Sequence, residues 1–291
     1  MLTAAAHAKI TLFLHVTGKR ESGYHELDAL VAFTQAGDTV SVQSADALTL
    51  EVEGPYAEQC GAMDQNLVLR AAKLLQVQTA RTQGAKITLT KKLPVAAGLG
   101  GGSSDAATAL KLLCRLWSLP LSPAELAEMA LPLGSDLPVC IHAAPARMTG
   151  IGEKVTPIAS MQPMPVLLVN PNIPLSTPDV YAAYHYSPSP YVSPQINTDD
   201  PMALLIGLER THNHLQSAAI SLVPEIAPML LEIQQQLGCR LARLCGSGPT
   251  CYALFESSLE MAHAAISLRN AHPNWWVCET KLLPRAAWAV A

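Results

Sequence analysis

The stretch "PVAAGLGGGSSDAATAL" (residues 94–110) places four glycines within five positions, directly before an alanine-rich apolar segment. Such a loop lets successive backbone N–H groups converge without Cβ clashes and so forms a cradle for an anion. The apolar residues that follow recur at intervals of three and four, which predicts a helix. They are Ala106, Leu110, Leu113, Cys114 and Trp117. Ser103, Ser104 and Asp105 open this helix, where free N–H groups and the helix dipole favour a phosphate.

Two common nucleotide-binding patterns do not fit this loop. A Walker A loop requires Gly-Lys-Ser/Thr, which the stretch lacks. A dinucleotide-binding fold requires a third glycine where Ser103 stands, and an acid about 20 residues later, where Pro120 and Leu121 stand. A glycine cluster can also be a structural loop in which two backbones pack closely. The hydroxyls and the helix that follow favour an anion-binding loop.

Composition restricts the class of protein and of ligand. The chain has 291 residues, 49% hydrophobic and 14% charged, enough to bury the core of one large or two modest domains. Its formal net charge is −4 and it contains no basic block, which argues against nucleic-acid binding. An anionic ligand therefore needs a local set of donors rather than an overall positive field.

Cysteine usage and hydropathy predict a soluble, cytoplasmic protein. The seven cysteines are an odd number and form no C-x-x-C pair, which favours free thiols over disulfides or a structural zinc site. The N-terminal apolar run is short and broken by polar residues, so it does not fit a signal peptide. No segment reaches the roughly 18 apolar residues of a membrane span.

The first half of the chain mixes strand and helix patterns. Alternating apolar residues predict a half-buried strand near the N-terminus. They are Ile10, Leu12, Leu14 and Val16. Further strands are predicted at "DTVSVQS", "LTLEVEG" and "AKITLTKKL", the last of which leads into the glycine loop. Helices are predicted from Asn66 and from Ser122, which forms a capping box with Glu125.

The second half begins with a stretch rich in turn formers and prolines, residues 150–165. A buried strand is predicted at Val166–Val169, and a long loop at residues 184–201, which carry Ser-Pro repeats. A helical stripe of apolar residues runs from Pro224 to Leu237. Two strands around "CGSGPT", a helix at "LEMAHAAISLRNA" and a last strand at "WWVCET" complete an α+β pattern.

Three motifs together resemble the GHMP kinases, the family of galactokinase, homoserine kinase and mevalonate kinase. "PVAAGLGGGSSDAA" resembles their ATP-binding loop, "HAKITLFLHV" their first motif, and "LCGSGPTCYALF" their third motif, a glycine turn that backs the loop. The resemblance implies a two-domain α+β fold, and the turn-rich stretch around residue 155 divides it into an ATP-binding domain at residues 1–155 and a C-terminal domain at residues 156–291. It also implies an ATP-dependent small-molecule kinase that uses Mg²⁺.

The resemblance implies a catalytic pair, Asp136 in "GSDLP" and Lys9 in "AKITLFL". Asp136 would accept the proton of the substrate hydroxyl, and Lys9 would keep it ionised through an ion pair. From the residues alone, Asp136 reads equally well as a helix N-cap, and Lys9 more often as an exposed strand lysine. Ser104 is expected at the Mg²⁺ ion or at the β- and γ-phosphates of ATP.

The same resemblance implies the contacts with ATP. Asn66 is expected near adenine, although by itself it reads as a helix N-cap. Lys92 is expected near a phosphate or adenosine, although Lys91 and Lys92 fit a solvated surface equally well. The remaining expected contacts are Pro94, Gly98, Leu99, Gly100, Gly101, Gly102, Ser103 and Ser104.

The stretch "SGYHEL" (residues 22–27), taken with "GSDLPV", narrows the substrate. It resembles the branch of the family that phosphorylates the 2-hydroxyl of 4-diphosphocytidyl-2-C-methyl-D-erythritol in non-mevalonate isoprenoid precursor synthesis. The resemblance implies that Tyr24 stacks on cytosine, His25 contacts its polar edge and Tyr181 covers its other face. From the residues alone, Tyr24 and His25 fit a turn followed by a half-buried strand or helix, and Tyr181 fits a core position. The other expected substrate contacts are Thr11, Gly246 and Ser247.

Two positions depart from the family pattern. Thr11 stands where the family commonly has Asn, so a hydroxyl replaces the paired donor and acceptor of an amide. His214 stands where relatives often have an acid. With His212 it suggests a metal site, but surface histidines are the favoured interpretation.

Two other functions stay open from the sequence. A GHMP kinase could act on another small alcohol, of the homoserine or mevalonate type, although "GYHEL" argues against this. A family member without activity could bind a nucleotide or regulatory ligand through the same loop, which would leave Asp136 and Lys9 without a role. The sequence does not decide between a monomer and a homodimer.

Overall fold

The computed structural model describes residues 1–284, which form two β-sheets with helices packed against them. The first sheet contains β1 (Leu2–Lys19), β2 (His25–Ala45), β3 (Leu48–Glu53), β4 (Gly84–Thr90), β5 (Ala146–Gly150) and β6 (Lys154–Pro157). The long strand β2 organises this sheet. One edge of β2 pairs antiparallel with β1, while the other edge pairs with β5 through residues 27–31 and with β4 through residues 39–45.

This half of the chain contains four helices, of which local sequence signals predicted the first three. They are α1 (Leu67–Gln78), α2 (Gly101–Leu116), α3 (Pro123–Ala130) and α4 (Leu137–His142). All five apolar residues that predicted α2 are buried in the core. Asn66 caps α1 by accepting a hydrogen bond from the backbone N–H of Val68 (3.0 Å). The predicted capping box of α3 is present, since Ser122 and Glu125 each accept from the other's backbone N–H.

The second sheet is antiparallel, in the order β10-β7-β9-β8. Its strands are β7 (Pro165–Asn170), β8 (Cys239–Leu244), β9 (Cys251–Phe255) and β10 (Trp276–Lys281). The helices of this half are α5 (Thr177–Ala183), α6 (Pro201–Glu209), α7 (Gln216–Leu222), α8 (Ile226–Gln234) and α9 (Ser258–Ala271). Residue 155, the expected boundary, lies within β6 of the first sheet. The end of the expected C-terminal domain, residues 285–291, lies outside the described residues.

The N-terminal strand is buried on both faces, whereas its alternation predicted burial on one. Residues 8–16 are all buried. The β1–β2 register shifts between Thr11 and Phe13, so the alternation is not continuous. Ile10 and Leu12 pack in a core that includes the second sheet, whereas Leu14 and Val16 pack in the core that includes α2. Because both faces of the middle of β1 are covered, its polar residues Lys9, Thr11 and His15 are buried as well.

The apolar stripe overestimated the length of α8. The helix ends at Gln234, and Leu237 is 81% exposed. Gly238, with φ +78°, then leads into β8. The predicted loop is confirmed, because α5 ends at Ala183 and α6 begins at Pro201 with neither helix nor strand between them.

The structure agrees with two expectations from composition, namely free thiols and the lack of a membrane-spanning segment in the described residues. All seven cysteines lie within the described residues and are free thiols. Their count and spacing had predicted this state. From residue 1 to residue 284, no helix combines the length and the apolar composition that crossing a membrane requires.

Candidate active site

A cavity of about 1260 Å³ brings together residues from both halves of the chain. Most of the residues that the sequence singled out line its wall. They are Lys9, Thr11, Tyr24, His25, Asn66, Pro94, Gly98, Leu99, Gly100, Gly101, Gly102, Ser103, Asp136, Tyr181, Gly246 and Ser247. Two of the expected residues, Lys92 and Ser104, lie outside this wall.

The glycine loop packs directly on the turn between β8 and β9. Gly98 has φ +74°, and a Cβ there would lie 2.6 Å from the carbonyl oxygen of Cys245 and 2.7 Å from that of Gly248. The backbone N–H of Thr250 donates to the carbonyl of Ala97 (3.3 Å). Only glycine allows the two backbones to approach this closely. The turn therefore backs the loop, as the third-motif resemblance implied.

The start of α2 presents free donors to the cavity. Gly100 has φ +60° and stands at the N-cap, and its carbonyl accepts the first helical hydrogen bond, from the Ser104 N–H (2.9 Å). The N–H groups of Gly101, Gly102 and Ser103 precede this bond and have no acceptor within the helix. All three residues line the cavity. Together with the helix dipole, they form a site suited to a phosphate.

The Ser104 hydroxyl does not point into this site. It donates to the backbone carbonyl of His7 at 2.6 Å, and the residue is buried. This hydrogen bond ties α2 to β1 and uses the only proton of the hydroxyl. Ser104, expected at Mg²⁺ or phosphate, thus lies outside the cavity wall, whereas its neighbour Ser103 lines the cavity.

Lys9 and Asp136 form the expected ion pair, with Nζ 2.6 Å from Oδ2. Asp136 stands at the N-cap position of α4, but its side chain makes no capping hydrogen bond, so the carboxylate is free for Lys9. The Lys9 backbone N–H donates to the carbonyl of Leu99 (2.8 Å), which attaches β1 to the glycine loop. Burial lowers the pKa of Lys9, but Asp136, with smaller contributions from Cys140 and Cys245, outweighs this, so the pKa of Lys9 is raised above its usual value. Lys9 is therefore charged at neutral pH.

A second charged cluster, which the sequence reasoning missed, lies beneath the glycine loop. Lys91 donates to Asp38 (2.5 Å) and to Asp105 (2.8 Å), and all three side chains are buried. Within the described residues, Oδ1 of Asp105 has no hydrogen-bond partner. Burial raises the pKa of Asp105; the Lys91 ammonium opposes this shift and the Asp38 carboxylate adds to it. Lys91 and Asp105 both line the cavity.

The structure places Lys92 on the surface, where its ammonium lies 3.3 Å from the Thr39 hydroxyl. Every second residue of β4 and of the two residues after it faces inward. Ile87, Leu89 and Lys91 are therefore buried, whereas Lys92 is exposed. This period of two is present in the sequence and would have selected Lys91 rather than Lys92.

An aromatic cluster lies at another part of the cavity, where Tyr24, His25 and Tyr181 form the wall. The rings of His25 and Tyr181 stack with centroids 5.4 Å apart, and Tyr184 meets His25 edge-on at 5.7 Å. Tyr24 lies at the rim and is 63% exposed. Nε2 of His25 is buried and has no hydrogen-bond partner in the described part of the chain. Burial, with a contribution from Lys19, lowers the pKa of His25, so its ring is neutral near pH 7.

The two departures from the family pattern occupy different places. Thr11 lines the cavity, and its backbone N–H contacts Sγ of Cys245 at 3.4 Å. His212 is exposed, and His214 is half-buried and accepts a hydrogen bond from the backbone N–H of Val16 (3.1 Å). Residues 1–284 contain no group of three or more His, Cys, Asp or Glu side chains placed to hold a metal ion. His212 and His214 are thus not a metal site of that kind.

Two family models match the chain. The model described as "GHMP kinases N terminal domain" matches residues 66–144, and the model described as "GHMP kinases C terminal" matches residues 194–273. The first match contains the glycine loop and Asp136, and the second contains the turn that backs the loop.

Curated relatives match nearly the whole chain. The 4-diphosphocytidyl-2-C-methyl-D-erythritol kinase of Paramagnetospirillum magneticum is 43% identical over 281 residues, which cover 96% of this chain and 97% of the relative. The enzyme of the same name from Cereibacter sphaeroides is 44% identical over 290 residues, which cover 97% and 100%.

Solved structures share the architecture. A crystal structure of 4-(cytidine 5′-diphospho)-2C-methyl-D-erythritol kinase superposes with a TM-score of 0.77 at 32% identity, covering 97% of this chain and 99% of the other. Homoserine kinase from Cytophaga hutchinsonii gives a TM-score of 0.72 at 15% identity, covering 98% of each chain. This second likeness concerns the fold alone.

Proposed function

Because the chain belongs to the GHMP kinase family, we propose that it transfers a phosphoryl group from ATP to the 2-hydroxyl of 4-diphosphocytidyl-2-C-methyl-D-erythritol. The matches confirm the family and the two-domain α+β architecture that the motifs predicted. Full-length identity of 43–44% to kinases of that name favours this substrate. The homoserine kinase likeness, at 15% identity, gives no support for homoserine.

The observation that carries the proposal is the ion pair of Lys9 and Asp136, 2.6 Å apart beside the glycine loop. Asp136 is 36% exposed at its side chain and lines the cavity, so a substrate hydroxyl can reach it. The carboxylate would accept the hydroxyl proton as the oxygen attacks the γ-phosphorus. Lys9 would hold the carboxylate ionised and in place. Two charged residues with these roles argue against a family member that only binds nucleotide.

ATP would be bound by the loop and the first turn of α2. The N–H groups of Gly101, Gly102 and Ser103 would donate to phosphate oxygens, where fixed dipoles stabilise the charge that develops during transfer. Asn66 lines the same cavity, which supports the expected adenine contact, although its side-chain oxygen already caps α1. Lys91, which lines the cavity, would take the role expected of Lys92.

Mg²⁺ would neutralise phosphate charge and would be held mainly by ATP itself. This ion keeps several waters and needs only one or two protein oxygens beside the phosphates. The Ser103 hydroxyl fits that need, because Ser103 lines the cavity and its hydroxyl has no hydrogen-bond partner among residues 1–284. The unpartnered Oδ1 of buried Asp105 is a second oxygen of this region, and it fits a bound water.

Cytosine would be recognised by the aromatic cluster. His25 lacks a partner for Nε2, and a buried ring nitrogen without a partner costs free energy until a ligand supplies one. The polar edge of a base could supply it. Tyr181 stacks on His25 here, so it would flank the base together with His25, while Tyr24 at the rim would close over it. The seven free thiols favour a reducing compartment, which supports a cytoplasmic enzyme.

The test is ATP consumption by the purified protein with 4-diphosphocytidyl-2-C-methyl-D-erythritol, homoserine and mevalonate in parallel. Turnover with the cytidyl substrate alone is the expected result. Turnover with homoserine or mevalonate would keep the kinase assignment and overturn the substrate. ATP binding without turnover on any of the three would favour a member that binds nucleotide without catalysis.

A further inference from the structure

Residues 184–194 form an extended segment, here called the strap, that runs from the end of α5 across the surface of the first sheet. The strap has no helix or strand. Among the described residues, no backbone group of residues 185–194 bonds to another backbone group outside regular structure. Eight of its eleven residues are exposed, so most of the strap lies on the surface. Its position must therefore depend on a few side-chain contacts.

One carboxylate holds the far end of the strap. Oδ2 of Asp28 accepts hydrogen bonds from the hydroxyls of Tyr191 (2.6 Å) and Ser193 (2.8 Å). Arg147 donates to Oδ1 of Asp28 at 2.5 Å and to the carbonyl of Pro194 at 2.8 Å. Asp28 itself is only 4% exposed. A buried carboxylate that accepts several bonds of this kind makes a strong local anchor.

The direction of the Tyr191 hydrogen bond follows from its other neighbour. Nε2 of His15 accepts from the backbone N–H of His212 (3.1 Å), so the proton of a neutral ring sits on Nδ1. Burial and the adjacent His214 lower the pKa of His15 to about 4, which keeps the ring neutral. Nδ1 therefore donates to the Tyr191 hydroxyl (3.1 Å), which in turn donates to Asp28.

The near end of the strap lies outside the wall of the candidate active site but contacts His25, which lines it. Tyr184, its first residue, contacts the edge of His25, and Tyr181 in the helix just before it stacks on the same ring. Between the two ends, the Tyr186 hydroxyl donates to the carbonyl of Thr17 (3.1 Å) in β1. The anchor at Asp28 and the aromatic cluster at His25 are thus joined by the strap.

We propose that the strap is a specificity element, in which Asp28 positions Tyr181 and Tyr184 against His25 and so sets the affinity for the cytosine-bearing substrate. Asp28 is a positioning residue, because it acts through Tyr191 and Ser193 and lies outside the cavity wall. The identity of the ligand in this proposal rests on the proposed function. The anchoring of the strap by Asp28 does not rest on it.

The test compares Asp28→Asn and Tyr191→Phe with the wild-type enzyme. Asp28→Asn weakens charge-assisted bonds, and we expect the KM for the cytidyl substrate to rise about tenfold. Tyr191→Phe removes one hydroxyl from an exposed residue, and we expect a rise of about threefold without a folding defect. For both variants, kcat and the KM for ATP should stay within about twofold of wild type, because neither variant alters the glycine loop or Asp136.

Two control variants separate positioning from general destabilisation. Glu279→Gln breaks the ion pair with Arg269 (2.9 Å), and Tyr252→Phe removes a buried hydrogen bond to the Leu12 carbonyl (2.6 Å). Both lie away from the strap, and we expect the KM for the cytidyl substrate to stay unchanged. A lower melting temperature with no change in KM for Asp28→Asn and Tyr191→Phe would mean that the contacts only stabilise the fold, and would overturn the proposal.

Limited proteolysis with chymotrypsin tests the anchor without any substrate. In Asp28→Asn, cleavage within the strap should become faster, while the strands of the second sheet should stay as resistant as in wild type. Unchanged cleavage in the strap would refute the anchor whatever the enzyme phosphorylates. If wild type fails to act on the cytidyl substrate but the strap of Asp28→Asn is cleaved faster, the proposed substrate fails and the anchor stands.

Discussion

A Cβ atom on Gly98 would lie 2.6 Å from the carbonyl oxygen of Cys245, although the two residues stand far apart in the chain. This close approach joins the phosphate loop to the turn of the second sheet. The loop can hold this position only because residue 98 carries a hydrogen atom where any other residue would carry a Cβ atom.

Gly98→Ala should therefore displace the loop and lower stability. Alanine would clash with two carbonyl oxygens and would have to adopt φ +74°, a combination that costs about 1–3 kcal/mol or more. Gly102→Ala is the matched control, since a Cβ there meets nothing within 4 Å. Urea denaturation should show a loss for Gly98→Ala and no loss for Gly102→Ala. Equal losses would mean that the contact with Cys245 is not what constrains the loop.

Asp136→Asn should lower kcat by about 100- to 10,000-fold, the usual contribution of a general base. Asparagine cannot accept the hydroxyl proton, and it leaves the buried Lys9 without its carboxylate. ATP affinity, measured by calorimetry, should change little. Asp46→Asn makes the same chemical change on an exposed turn and should keep full activity. A kcat for Asp136→Asn within tenfold of wild type would exclude Asp136 as the base.

Lys91→Met and Lys92→Met should differ sharply although the residues are neighbours. Lys91→Met leaves Asp38 and Asp105 buried without their cation, which costs about 3–5 kcal/mol. The KM for ATP should rise as well, because Lys91 lines the cavity. Lys92 is exposed, and its loss should cost less than about 0.5 kcal/mol. Denaturation and ATP kinetics of both variants test this, and similar behaviour of the two would contradict it.

Asp105 should make the free energy of unfolding fall as the pH rises, whereas a carboxyl group with a lowered pKa has the opposite effect. Burial raises its folded-state pKa above the ordinary 3.8, so the folded protein binds this proton more tightly than the unfolded chain. Its contribution to the free energy of unfolding is greatest below pH 3.8 and is lost as the pH rises through the higher folded value. Relative to wild type, Asp105→Asn should therefore be more stable at pH 8 than at pH 5. Parallel pH profiles for the two proteins, measured by urea denaturation, would refute this.

Local features of the sequence predicted much of the fold correctly. The period of α2, the cap at Asn66 and the capping box at Ser122 depend on residues within four positions of each other, so the chain encodes them without reference to tertiary contacts. The length of α8 was less predictable, because nothing local shows that Leu237 lies beyond the core. The motifs identified the family because they recur together at both ends of the chain.

The sequence predicted which residues line the candidate site more fully than it predicted the partners of their side chains. Lys9 pairs with Asp136 as the resemblance implied, and the choice of Lys92 over Lys91 could have been corrected from the alternation of β4. The partner of the Ser104 hydroxyl, by contrast, could not be predicted from local sequence. Its partner is the backbone carbonyl of His7, and which carbonyl a helix meets depends on how that helix packs.

The sequence by itself determined the glycine loop, the helix behind it and the family, because these follow from residue type and short-range spacing. Tertiary structure alone decided that both faces of β1 are buried and that Asp28 anchors Tyr191. Local spacing does not encode which surfaces will cover each other. Burial and the pairing of distant charges arise only when the two sheets pack together, since only then is water removed from both partners.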